Sequence, residues 1–273
     1  MIKNILSILS MIIFFVWGKF FADNESLRYN LICISYTIFA TLIIEFITFL
    51  WAKRRFLALY WNCYTYKRLP ELRLTISYLF KIEVQGKYLL VKSSRLKNTY
   101  QPVGGVYKYF NPEANTELNV MSIETDNKIP SDQVSEYDLR LTMANRKNMR
   151  KFLEWFNNNQ KRELDPWREF YEELVATKIL DENIFKYIQY NLVGQHFEPI
   201  HYDTHFKIDT FKYANIYTLR CVNSKQEEAI RKITEVTNSK YHWATKDEII
   251  NKITIDGKRI ADHTPKIFHH KFL

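Results

Sequence analysis

Cationic and aromatic side chains gather in two short segments of the sequence. They are Arg95, Lys97 and Tyr100 before a Gly-Gly pair, and Lys258, Arg259 and His263 near the C-terminus. Guanidinium and ammonium groups bind phosphate, and aromatic rings stack on nucleobases. The 273-residue chain carries a net charge of +9, which suits an anionic partner. The two segments predict a site for a phosphorylated ligand with bases, although ordinary surface charges give the same pattern.

Three glutamates lie on one face of a predicted helix. Asp165 and Pro166 begin this helix, because Asp is a good N-cap and Pro fits the first helical position. Glu169, Glu172 and Glu173 follow at i, i+3 and i+4, so their carboxylates converge on a regular α-helix. The face is a solvated helix surface, a metal site or an acidic remnant within a ligand pocket, and the spacing leaves these alternatives open.

The elements around these residues alternate between strands and helices. Strands are predicted by alternating or strand-forming residues at 72–83, 87–92, 106–110, 138–143, 196–200, 206–211 and 216–222. Helices are predicted by apolar spacing or caps at 145–158, 165–180, 225–236 and 246–253. This order predicts one α/β (α+β) domain over residues 71–273.

Two apolar segments precede this domain. Residues 4–21 contain one charged residue, Lys19, and residues 31–52 contain one, Glu45. Because about 20 apolar residues span a bilayer, we predict two transmembrane helices that form a hairpin over residues 1–56. A linker follows over residues 57–70.

Glu45 is an unusual residue for a membrane helix, because a charged carboxylate in lipid costs at least ~2.5–3.5 kcal/mol. Thr41 and Thr48 lie on the same helical face as Glu45. We interpret these three residues as a membrane seam that mediates oligomerisation or lines a pore. The alternative is a single carboxylate that packs within the hairpin.

Basic residues set the expected orientation. Lys53, Arg54 and Arg55 follow the second apolar segment, and an excess of Lys and Arg marks the cytoplasmic side. We therefore expect a multi-pass protein of the cell inner membrane with its C-terminal domain in the cytoplasm. Three cysteines without CxxC spacing favour a reducing compartment.

The helix that begins at Asp165 carries a recognisable motif. The sequence Arg168-Glu169-Phe170-Tyr171-Glu172-Glu173 resembles REUxEE, the core of the Nudix box, and LLVKSS with TYQPVGG resembles the strand and turn before that box. The resemblance implies a Nudix-like sandwich, Mg²⁺-ligand roles for the three glutamates and an orienting role for Arg168.

The sequence departs from the full Nudix box at three positions. Glu154 and Gln160 stand where the box has Gly and Glu, and Val175 replaces the later Gly. A long insertion, about residues 106–160, separates the Gly-Gly turn from the helix. A missing carboxylate weakens a Mg²⁺ site, so whether the protein is an enzyme is left open, with a non-catalytic role favoured.

The whole layout resembles one subfamily. The DLRL strand, the KFLEWF helix and the KRIADHTPKIF tail resemble Nudix domains associated with nucleotide cyclase-like enzymes. With two transmembrane helices, the chain is similar to the transmembrane–Nudix effectors of CBASS, a bacterial antiphage system. The resemblance implies a cyclic oligonucleotide ligand, a lipid bilayer target and homo-oligomers on activation, without binding to nucleic-acid polymers.

Two other functions compete with this one. The first is a membrane-tethered, Mg²⁺-dependent Nudix hydrolase of a nucleoside diphosphate derivative. The second is a membrane-anchored adaptor, for which neither nucleotide nor metal matters.

Overall fold

The computed structural model describes residues 2–65, 71–128, 136–158, 161–236 and 238–268, with side chains from Leu6 onward. The chain divides into two units, Met1–Ala58 and Leu59–Leu273. Gln160 and the end of the expected linker lie outside the described residues.

Two helices form the first unit: α1, Ile2–Phe20, and α2, which begins at Glu25. The Asn24 side chain caps α2, since its Oδ1 accepts a hydrogen bond from the backbone of Ser26 at 2.8 Å. A Cβ on Gly18 would lie 3.0 Å from the Leu31 Cβ. The absence of a side chain at this position therefore lets the two helices approach closely.

Helix α2 is the one described helix that is long and apolar enough to cross a membrane. It spans Glu25–Thr65, 41 residues, about twice the ~20 that a bilayer requires. The apolar part of α1, Leu6–Phe20, is shorter than a span. Residues 57–65, which we expected in the linker, continue α2, and Leu59 and Cys63 are buried in the second unit.

The second unit contains eleven strands among its described residues. They are β1 Leu72–Phe80, β2 Glu83–Val84, β3 Lys87–Lys92, β4 Thr99–Pro102, β5 Gly104–Val106, β6 Ile123–Thr125, β7 Arg140–Met143, β8 Gln189–Asp203, β9 Ile208–Arg220, β10 Tyr241–Thr245 and β11 Arg259–Ile260. The larger sheet has the order β6-β7-β1-β9-β8, with β5 also paired to β1. The smaller sheet has the order β10-β3-β4-β11, with β2 paired to β3.

Within the described ranges, five helices and three short helical turns accompany these strands. The helices are α3 Glu113–Val120, α4 Met149–Asn157, α5 Trp167–Phe170, α6 Ser224–Glu235 and α7 Lys246–Asn251. The turns are 3₁₀ turns at Arg146–Asn148 and Thr264–Phe268, and a π-helical turn at Tyr171–Val175 that directly follows α5.

Strand β1 is the centre of the domain. Seven of its nine residues are buried, because it pairs with β9 in parallel along its whole length and with β5 and β7 on the other edge. Apolar residues of both sheets, including Leu79, Leu90 and Ile216, form the core together with Ile249 of α7. The predicted α/β class is thereby confirmed.

The predicted insertion is an integral part of the larger sheet. It contains α3, β6, β7 and α4, and β7 pairs with β1. Arg73 of β1 forms a buried ion pair with Asp126, and Phe156 of α4 packs edge-on against Tyr213, with ring centroids 6.0 Å apart. The inserted segment therefore supplies one edge of the sheet and covers one of its faces.

The predicted strands at 196–200, 206–211 and 216–222 are two longer strands, β8 and β9. Register shifts occur between Leu192 and Gly194 and between Glu198 and His201. Such bulges absorb irregular positions, including Pro199, without ending a strand. Pro199, which lies inside the predicted strand 196–200, is therefore accommodated within β8.

Candidate ligand-binding site

A cavity of about 1150 Å³ lies between the two sheets of the second unit. Its walls include Thr75 and Ser77 of β1, Lys92 at the end of β3 and Gln101 of β4. The chain crosses from the smaller sheet to the larger one at Val103, where β4 ends and β5 begins. The crossing places the predicted Gly-Gly turn in the wall of the cavity.

The Gly-Gly turn receives the glutamate helix. The backbone amide of Gly104 donates a 2.9 Å hydrogen bond to the Glu173 carboxylate, and Gln101 Nε2 donates another at 3.1 Å. A Cβ on Gly105 would overlap the carboxylate of Glu169. The absence of a side chain at Gly105 therefore allows the Glu169 carboxylate to lie directly against the backbone of β5.

The pKa of the Glu173 carboxyl is raised to about 8, mainly by burial and also by the charges of Glu169 and Glu172, while the hydrogen bonds from Gly104 and Gln101 oppose the shift. A carboxyl group with this pKa is mostly protonated at neutral pH. Glu173 therefore adds little negative charge to the cavity near pH 7.

Arg168 joins the helix to the larger sheet. Its Nε lies 3.0 Å from Glu163 Oε1, its Nη1 2.7 Å from Glu169 Oε1, and its Nη2 3.0 Å from the carbonyl oxygen of Val106. Glu163 also accepts a 3.2 Å hydrogen bond from the Lys108 amide. Arg168 thus contacts two carboxylates, Glu163 and Glu169, while the orienting role that the motif implies for it stays a prediction.

The three glutamates line the cavity but do not form a metal-binding cluster. Among the described residues, no group of three His, Cys, Asp or Glu side chains is placed to hold a metal ion. Glu169 is paired with Arg168, and both oxygens of Glu173 accept bonds from protein donors. The donor set therefore does not fit Mg²⁺, whose carboxylate ligands must turn their oxygens toward the ion.

A π-helical turn forms the second half of the glutamate helix. The Ala176 amide donates to the Tyr171 carbonyl at 2.8 Å, an i→i+5 bond that widens the turn. Glu169 precedes this turn, whereas Glu172 and Glu173 lie within it. The helix is therefore not regular across the motif, although Arg168 Nη1 still lies 2.7 Å from Glu169 Oε1 and 3.5 Å from Glu172 Oε2.

Seven cationic side chains and six carboxyl groups line the cavity. Four of the cations form ion pairs: Arg140 with Asp138, Arg168 with Glu163 and Glu169, Lys212 with Asp203 and Glu198, and Lys266 with Glu198. Lys240 donates a 2.8 Å hydrogen bond to the Thr177 carbonyl. The remaining two, Lys92 and Arg95, form no ion pair within the described part of the chain and are exposed.

The structure brings two of the six predicted nucleotide-binding residues into this cavity, Arg95 and His263. Burial, and then the charge of Lys266, lowers the pKa of His263 to about 4, so its imidazole is neutral at pH 7. His263 can accept or donate a hydrogen bond there but does not contribute charge.

The other four predicted residues do not line the cavity. Tyr100 is 4% exposed and packs in the core between the sheets. Lys258 lies 5.6 Å above the Tyr100 ring, Arg259 pairs with Asp262 at 3.2 Å, and Lys97 is exposed. The sequence placed these groups near one another along the chain, but strand pairing directs them away from the cavity.

Several lining residues were not predicted. Arg140 of β7 and Lys212 of β9 are both register partners of Thr75 in the strand between them. The three residues form one polar row across the sheet. Polar residues alternate with apolar ones in LRLTIS and DLRLTM, and that period of two was the available signal.

The predicted membrane seam lies on α2 in the first unit. The Thr41 hydroxyl donates to the Thr37 carbonyl at 2.9 Å, and the Thr48 hydroxyl donates to the Glu45 carbonyl at 2.8 Å. Glu45 is exposed on the helix surface. Its carboxylate forms no ion pair and accepts no hydrogen bond within the described residues.

A comparison with models of known protein families identifies the domain that contains this cavity. Residues 71–268 match the family model described as the SMODS-associated NUDIX domain, which covers the candidate site and more than half of the chain. A search of curated proteins gave no significant match. The family match supports the resemblance to Nudix effectors of CBASS-type systems, and the chain belongs to the SMODS-associated NUDIX domain family.

Proposed function

We propose that this protein is a membrane-anchored effector of a CBASS-type system, whose cytoplasmic Nudix domain senses a cyclic oligonucleotide. Ligand binding drives copies of the chain to assemble, and the two N-terminal helices then disrupt the inner membrane. The observation that carries the proposal is the cavity of about 1150 Å³. It exceeds the ~300–1,000 Å³ of usual small-molecule sites, and so suits a ligand larger than one nucleotide.

The state of the acidic groups also favours binding over hydrolysis. Glu169 is neutralised by Arg168, and Glu173 is held by Gly104 and Gln101, so neither of these two carboxyl groups turns free oxygens toward a metal that could activate water. Lys92 and Arg95 offer positive charge at the same cavity. This combination suits a receptor that retains an anionic ligand without cleaving it.

We expect cyclic oligonucleotides to raise the melting temperature of the full-length chain in detergent. A ligand that binds only the folded state stabilises it by ~2.7 kcal/mol at one hundred times its dissociation constant. Differential scanning fluorimetry against a panel of cyclic di- and trinucleotides measures this shift. A panel in which no member changes the melting temperature would contradict sensing.

The competing hydrolase has a specific observation in its favour, since Glu169, Glu172 and Glu173 line the cavity together. Phosphate release from nucleoside diphosphate derivatives with Mg²⁺ separates the two functions. We expect little or no turnover. Strong Mg²⁺-dependent release of phosphate that is abolished by Glu173→Gln would establish the hydrolase instead. If the protein neither binds cyclic oligonucleotides nor releases phosphate, the adaptor function is the one that is left.

The membrane step depends on Glu45. Its exposed and unpaired carboxylate would meet Glu45 of other copies when hairpins cluster, and water would then accompany it into the bilayer. We expect Glu45→Leu to insert normally and to bind nucleotide, but to reduce membrane leakage at least several-fold. Loss of membrane potential in expressing cells, with and without the activating nucleotide, provides the measurement.

Two variants control this experiment. Ile44→Leu changes a neighbouring exposed residue without a change in polarity and should leak like wild type. Glu45→Gln keeps a polar group and should retain more leakage than Glu45→Leu. If leakage by Glu45→Leu equals that of wild type, the carboxylate has no part in the lesion.

A further inference from the structure

Two guanidinium groups reach the cavity from opposite sheets. Arg95 follows β3 of the smaller sheet, and Arg140 lies on β7 of the larger sheet, and both line the cavity. We propose that Arg95 and Arg140 together bind one phosphate group of the ligand. The inference rests on the proposed function and assigns the residues that recognise the anion.

Arg95 has a fixed backbone and an uncommitted side chain. The buried Ser93 hydroxyl accepts hydrogen bonds from the amides of Arg95 and Leu96, at 3.3 and 3.1 Å, so the residue is held close to the end of β3. Its guanidinium forms no ion pair within the described residues. The exposed guanidinium is therefore available to bind an anion from solution near the end of β3.

Arg140 carries charge that its surroundings neutralise only in part. Its Nη2 lies 3.4 Å from Asp138, but the same carboxylate also lies 3.3 Å from Lys108 Nζ. Lys212 lies two strands away across the sheet, with Thr75 of β1 between them, and it pairs with Asp203 and Glu198. The Asp138 carboxylate is therefore shared by two cations, Lys108 and Arg140. Arg140 also lies in the polar row across the sheet that contains Lys212.

The two guanidinium groups also repel each other. Burial, followed by the charges of Arg95 and Arg73, lowers the pKa of Arg140, while Asp138 opposes the shift. An arginine remains charged at neutral pH despite such a shift. An anion between the two groups relieves the repulsion, and the planar forks of both arginines match the oxygen geometry of phosphate.

Isothermal titration calorimetry of the full-length chain in detergent tests the proposal. The probes are cyclic di- and trinucleotides, and inorganic pyrophosphate as a source of phosphate without bases. We expect Arg95→Ala and Arg140→Lys each to weaken binding about 10–100-fold, the usual loss for a charged hydrogen bond. Lys97→Ala, two residues from Arg95 but outside the cavity, should bind like wild type.

The double variant decides whether the two arginines share one phosphate. Residues that bind the same group are coupled, so Arg95→Ala with Arg140→Lys should lose much less affinity than the product of the single losses. Losses that multiply would assign the residues to separate groups and overturn the proposal. Unchanged affinity in either single variant would overturn it too.

Further controls separate this inference from the proposed function. Melting without ligand establishes that each variant is folded, and Arg140→Lys is chosen because it preserves the pair with Asp138. If wild type binds pyrophosphate but no cyclic oligonucleotide, and Arg95→Ala loses pyrophosphate, the phosphate site stands and the sensing role fails. If wild type binds neither probe, both fail.

Discussion

Gly104→Ala is expected to destabilise the Nudix domain by about 3 kcal/mol or more, which lies in the severe range for a single substitution. The residue has φ of +149°, a conformation that side chains rarely adopt. A Cβ there would overlap the Tyr78 carbonyl oxygen and lie 2.9 Å from the Leu79 Cα. Both atoms belong to the backbone of the central strand β1, which cannot move without disturbing both of its neighbours.

Gly86→Ala is the matched control for this substitution. Gly86 also has positive φ, +76°, in the turn before β3, but a Cβ there would meet nothing within 4 Å. The expected cost is only the conformational one, about 1–2 kcal/mol. Thermal or urea unfolding of both variants gives the comparison. Equal losses in the two variants would mean that the contact with β1 is not the cause.

Glu173→Gln is expected to stabilise the protein at alkaline pH, by about 1–3 kcal/mol at pH 9. The folded carboxyl has a pKa of about 8, compared with 4.5 for an ordinary one. As pH rises above 4.5 the unfolded state releases its proton first, so the wild-type free energy of unfolding falls until about pH 8 and then levels off. Glutamine carries no proton to lose, and its amide oxygen still accepts the bond from Gly104.

The measurement is the melting temperature of wild type and variant between pH 5 and pH 9. The difference should be small at pH 5 and grow toward pH 8. Glu172→Gln is the matched control on the same turn, because the Glu172 side chain is 45% exposed, and it should follow the wild-type profile. If the melting temperatures of Glu173→Gln and wild type change in parallel with pH, burial does not raise the pKa of the Glu173 carboxyl.

Local patterns in the sequence predicted much of the fold. Apolar spacing at Met149, Phe152 and Phe156 predicted helix α4, whose side chains at these positions are buried. The Gly-Gly pair in TYQPVGG resembled a turn, and the chain does pass there from one sheet to the other, with Gly104 close against the backbone of β1. Each of these features depends on residues a few positions apart, which is why spacing alone reveals it.

The composition of the cavity could be predicted only in part. Arg140 and Lys212 are far apart in sequence and meet because both strands pair with β1 at Thr75. This register depends on the pairing of the whole larger sheet, including strand β7, which the inserted segment supplies. Conversely, Tyr100 lies close to Arg95 in sequence, but strand alternation turns it into the core. Sequence proximity was therefore a poor guide to which groups share the cavity.

The π-helical turn at Tyr171–Val175 also bears on how relatives of this chain should be aligned. Such a turn is equivalent to an α-helix with one additional residue. A relative with a regular helix would align with a one-residue gap here, and its downstream residues would be rotated by about 100°. The presence or absence of that gap therefore offers a simple criterion for recognising relatives that keep a regular helix at the three glutamates.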